Sequence, residues 1–129
     1  MSYYLEKTVN TPFDQAIEAV TASLKDEGFG VLTEIDIQAT LKQKLDVDFR
    51  RYRILGACNP KFAYQALQSE RMIGAMLPCN VVVQETESGT TQLAAIDPIA
   101  SMQAIDNPEL AEIAEIIREK LRNAIARIA

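Results

Sequence analysis

The sequence predicts one α+β domain, a two-layer sandwich in which a mostly antiparallel sheet is covered on one face by two long amphipathic helices. Three observations lead there. Short β-branched or alternating runs recur between turn residues, as in strands. Two long segments, Thr11–Gly28 and Asn107–Ala129, repeat apolar residues at helical spacing and so need an apolar surface to cover. The order of elements is strand, helix, four strands with helical insertions, then a helix. No repeat or linker divides the 129 residues, so positions 1–129 read as a single domain.

Ser2–Val9 alternates as a half-buried strand. Thr11 is placed to cap the first helix, with Pro12 at its first position, and Phe13, Ala16, Ile17, Val20 and Leu24 form its stripe up to Gly28. Phe29 to about Gln38 is the second strand, followed by a short helix over Ala39–Leu45. Phe49–Ala57 is the third strand, and Asn59-Pro60 then reads as a cap and first turn for a helix buried through Phe62, Ala63, Ala66 and Leu67. Past Pro78, the valine-rich Cys79–Glu85 and the run Thr90–Ile96 form a hairpin. Pro98–Ala104 is a turn or short helix. Asn107-Pro108 opens the last helix, striped by Leu110, Ile113, Ile117, Leu121, Ala124 and Ile128.

Composition removes several functions. A net charge of −5 without a basic run argues against nucleic acid as a partner. No apolar window is long enough for a membrane span, and the N-terminus lacks a signal peptide's basic start and apolar centre, so the cytoplasm is the expected compartment. The chain contains no histidine, which removes Ser-His-Asp and Cys-His mechanisms from within it.

The stretch with chemical potential is Tyr52–Val83, where both cysteines stand at strand ends and each precedes an asparagine: Cys58-Asn59 and Cys79-Asn80. These four residues are the candidate ligand-binding site. The helix start beyond Asn59 would favour a thiolate at Cys58, so a thiol-redox or soft-metal role for Cys58 and Cys79 is the alternative. Against it, free cysteines are usually buried hydrophobes, and two thiols match neither C-x-x-C nor a zinc pattern. Asn59 as a cap and Asn80 as a turn residue are the corresponding structural explanations. Glu34 and Asp36, two apart on one strand, can face Arg53 on the next, with Lys42 nearby; they form a secondary polar face, or simply cross-strand ion pairs in solvent. No catalytic residue, metal-ligand set or cofactor is assigned, and the reading leans to a binding protein rather than an enzyme.

Four stretches carry a resemblance over the whole chain: Thr33-Glu34-Ile35-Asp36, Ala39-Thr40-Leu41-Lys42, the run Tyr52–Pro60, and Leu77-Pro78-Cys79-Asn80-Val81. On these the chain resembles the bacterial and archaeal family called domain of unknown function 302. The resemblance implies a β-α-β4-α fold with a TATA-binding-protein-like outline and a homodimer. It brings no activity with it, and likeness of outline brings no DNA binding.

Overall fold

The computed structural model describes residues 2–129. Five strands make one sheet: β1 (Tyr4–Val9), β2 (Gly30–Asp36), β3 (Tyr52–Cys58), β4 (Cys79–Glu85) and β5 (Thr91–Ile96). Their spatial order is β1-β5-β4-β3-β2, and every neighbouring pair is antiparallel. The helices are α1 (Phe13–Asp26), α2 (Ile37–Leu45), α3 (Pro60–Ser69), α4 (Pro98–Ser101) and α5 (Pro108–Ala126), with a 3-10 turn at Ile73–Met76. The α+β sandwich expected from the sequence is therefore the fold that forms.

Alternation sorts the sheet into two faces. Cross-strand rows Leu55–Val81–Ala95 and Val83–Leu93 lie on one face and are fully buried. On them α1 lays Ala16, Val20 and Leu24, and α5 lays Leu110, Ile117 and Leu121, all among the least exposed side chains of the chain. The opposite face carries Tyr52, Asn80, Val82, Gln84, Gln92 and Ala94, and no helix among the described residues covers it. Leu55 belongs to the covered face, because the register sets it against Val81.

The two long helices are also tied to each other. Ser23 donates to the Ala124 carbonyl at 2.6 Å, and Arg127 pairs with Glu27. Asn107 caps α5 by accepting from the Glu109 and Leu110 amides, while its own amide donates to Ser69 at the end of α3.

Several boundaries differ from the sequence reading for local reasons. Thr11 is not the cap of α1: Pro12 holds that position, and the Thr11 hydroxyl donates to the Ala129 carbonyl at 2.5 Å. β2 ends at Asp36, whose carboxylate accepts from the Ala39 amide and so starts α2 two residues early. A β-bulge between Val31 and Thr33 leaves Leu32 without a partner, which reverses the facing of the residues after it.

Candidate functional site

The bulge decides where the acidic pair goes. Beyond it Glu34 stands opposite Leu55 and Asp36 opposite Arg53, on the helix-covered side of the sheet at its β2 edge. Arg53 reaches Glu34 at 2.9 Å and Asp36 at 3.4 Å, and its guanidinium lies 5.9 Å from the centroid of the Phe13 ring. Arg51 closes on Asp14 of α1 at 3.5 Å. These charges satisfy one another, as cross-strand pairs do, and leave no unbalanced cation for an anion. Lys42 stands outside the group, pairing with Asp46 at 3.1 Å and Asp48 at 3.4 Å after α2. The secondary polar face is thus an ion-pair cluster of Glu34, Asp36 and Arg53 without Lys42.

The Cys-Asn strand ends behave differently. Between the sheet, α3, α4 and α5 lies a cavity of about 300 Å³ with almost wholly apolar walls. The loop before β2 contributes Phe29 and the sheet Ala57 and Cys79; α3 contributes Phe62, Ala63 and Ala66; Pro98 and Met102 close one side; and Leu110, Ile113, Ala114 and Ile117 of α5 form the roof. Its outer rim is Leu32, Thr33, Cys58, Leu77 and Pro78. Leu32 is 68% exposed there because the bulge turns it outward, whereas Leu110 at the far wall is 1% exposed. No charged side chain lines the space. It is about twice the roughly 150 Å³ apolar cavity that accommodates one benzene ring, and at the lower end of the size range of small-molecule sites.

Three of the four sequence candidates meet at this cavity. Cys58 stands half-exposed at the rim, Cys79 is buried in the sheet wall, and Asn59 lies between sheet and α3. Asn59 occupies the cap position of α3, yet its side chain makes no capping bond: its amide donates to the Glu27 carbonyl at 3.2 Å, holding the end of α1 against the start of α3. Gly28 makes that approach possible. Its φ is +88°, and a Cβ there would stand 3.1 Å from the Asn59 amide nitrogen. Asn80, by contrast, points from the open face into a shallow groove with Tyr52 and Val82, away from the cavity.

The cysteines do not form a close pair. The register sets Cys79 against Ala57, so alternation starts the Cys58 and Cys79 side chains from opposite faces, and both are free thiols. Burial pushes the Cys79 thiol up to about 11, and the charge of a Cys58 thiolate adds to that. Among the described residues no group of three or more Cys, Asp or Glu is arranged to hold a metal ion.

The comparisons agree on one family. The family model "Domain of unknown function DUF302" matches residues 5–128. The chain belongs to the DUF302 family. A solved structure points the same way: the crystal structure of an uncharacterised conserved DUF302 protein from Bacillus stearothermophilus is 32% identical over 100% of both chains, with a TM-score of 0.93. No curated protein matches the sequence significantly. For this DUF302 chain, no helix among the described residues is long and apolar enough to cross a membrane.

The cavity itself escaped sequence reasoning. Its wall residues are the inward positions of β3, β4, α3, α4 and α5, and nothing in their spacing separates a filled core from a hollow one. The one available signal was small side chains, Ala63 and Ala66 on α3 facing Ala114 on α5, where a filled interface would carry larger ones.

A Cys79 prediction follows from its burial. In the unfolded chain this thiol ionises near 9, while the native protein keeps it protonated to about 11. Its contribution to stability is therefore complete below pH 9 and is lost as pH rises from 9 to about 11, at up to about 1 kcal/mol per pH unit. Urea unfolding across that range is expected to show a steeper alkaline decline for the wild type than for Cys79→Val. Equal slopes would contradict the buried placement.

Proposed function

We propose that this DUF302 protein is a binding protein whose ligand is a small, mainly apolar molecule held in the cavity beside Cys58, Asn59 and Cys79. One observation carries the reading: a solvent-accessible cavity of about 300 Å³ with almost wholly apolar walls lies between the sheet and the helices. Apolar wall left facing water there is removed from it when an apolar guest enters. The buried Cys79 serves as a small apolar wall residue in this account, not as a redox partner, since a thiol held protonated to about 11 is a poor nucleophile at neutral pH.

The homodimer is part of the same proposal. Its support is the open sheet face, where Tyr4, Tyr52, Val82, Ala94 and Ile96 line one groove without a covering layer. A second copy laid on this face would remove those side chains from water, and Asn80 would then be an interface residue. Light scattering is expected to give twice the 14.3 kDa chain mass for the wild type and a smaller mass for Val82→Lys. A wild-type monomer at micromolar concentration would remove the dimer. We place the protein in the cytoplasm, consistent with its two unpaired thiols.

Ligand binding is tested by filling the cavity. Ala66 is 3% exposed and faces the space. In a packed core, Ala→Leu would cost about 1–3 kcal/mol. Here Ala66→Leu is expected to be neutral or mildly stabilising. In wild type, neutral apolar probes (benzene, indole, n-octanol) are expected to raise the melting temperature by a few degrees at about ten times Kd, and Ala66→Leu is expected to lose that rise. No rise in the wild type with any probe would end this reading.

A further inference from the structure

The ligand-binding reading leaves open what kind of molecule enters, and two lysines bear on it. Phe62, in the first turn of α3, forms part of the cavity wall while remaining partly exposed itself. Two ammonium groups converge on its ring: Lys61 lies 5.6 Å from the centroid and Lys120 of α5 lies 5.9 Å from it. Neither lysine takes part in any ion pair among the described residues. Lys7, Lys25, Lys44, Arg50 and Arg71 are likewise outside these ion pairs, but among the described residues only Lys61 and Lys120 stand over an aromatic ring of the cavity wall.

Two cations thus stand over one ring of the cavity wall in a chain whose net charge is −5. Attraction to the ring face holds them near Phe62. That attraction is weaker than a charge-assisted hydrogen bond to an oxyanion. The interior, in contrast, has no charged wall residue and would exclude an ionised group. Apolar volume inside and two cations over the Phe62 ring that borders it describe the complement of an amphiphile.

Resting on the cavity as the binding site, we propose that the ligand is a carboxylate with an apolar body, its tail among Leu110, Ile113 and Cys79 and its carboxylate at Lys61 and Lys120. The volume suits a medium-length acyl chain or a two-ring acid and is too small for a two-chain lipid. Recognition of this kind is sensitive to salt, because the head group stays near the surface where charges are screened.

Titration calorimetry with octanoate, n-octanol and octylamine, all below their aggregation concentrations, tests the assignment. Octanoate is expected to bind about tenfold more tightly than octanol in low salt, and octylamine more weakly than either. The Lys61→Gln/Lys120→Gln double variant is expected to bring octanoate down to the octanol value while leaving octanol unchanged, and 0.5 M NaCl to narrow the wild-type difference. Equal binding of octanoate and octanol in wild type, or an octanoate preference that survives in the double variant, would overturn the carboxylate and leave the cavity reading standing. If none of the three binds, the cavity reading falls with it.

Discussion

Replacing Gly56 by leucine is expected to destabilise the protein by about 3 kcal/mol or more, the upper end for an overpacked interior position. Gly56 sits mid-strand in β3, buried, with β2 on one side and β4 on the other. A Cβ at this position would collide with the Thr33 hydroxyl and stand 2.8 Å from Cγ of Pro78. Neither neighbour yields readily: threonine is stiff at χ1 and the proline is a closed ring. Ordinarily a glycine within a strand weakens it, and a substitution there would help. Here the close approach of the neighbours wins, and even Gly56→Ala is expected to lose about 1–3 kcal/mol. A double-mutant cycle apportions the strain. Thr33→Ala combined with Gly56→Ala is expected to recover part of the loss in urea unfolding, leaving the share due to Pro78. Full stability in Gly56→Ala would show that β2 and β3 do not pack at this register.

The second large effect lies at Asp97, where β5 turns into α4. Its carboxylate accepts from the Ile99 amide at 3.0 Å and from Nε of Arg118 at 2.9 Å, and its own amide donates to the Tyr3 carbonyl at 2.8 Å. With 8% of its surface exposed, Asp97 is a largely buried side chain whose carboxylate is paired and hydrogen-bonded. Asp97→Ala removes a cap worth about 1 kcal/mol and leaves the Arg118 guanidinium, 28% exposed, without its partner. The partial exposure tempers the second loss, so the expected sum is about 2–3 kcal/mol. Asp97→Asn keeps the cap acceptor and is expected to lose roughly half as much. Because Pro98 and Met102 close one side of the cavity, Asp97→Ala is also expected to weaken binding of octanol. Unfolding and titration of the same variants check both effects; an Asp97→Ala protein as stable as wild type would contradict the ion pair.

Much of the fold was legible because its determinants are local. Pro108 behind the Asn107 cap, the stripe of α5 and the valines of β4 each specify their element without outside help. The DUF302 motifs were legible as well, since they are long and ungapped. What misled was register. One unpartnered residue, Leu32, turns Glu34 and Asp36 onto the helix side, and no local preference in Phe29–Gln38 marks that bulge. The same parity separates Cys58 from Cys79 and sends Asn80 to the open face, so a constellation that looked single in sequence divides between a cavity and a bare sheet. Lys61 and Lys120 were invisible as a pair because they lie 59 positions apart on two helices that only tertiary packing joins.

The hollow between α3, α5 and the sheet is the premise of the functional account, and a xenon-pressurised crystal addresses it directly. Apolar cavities of this size take up the gas. The expected result is a strong anomalous peak bounded by Phe62, Ala66, Cys79 and Leu110, absent in Ala66→Leu. A wild-type crystal with no xenon there, and side chains packed across the space, would contradict it.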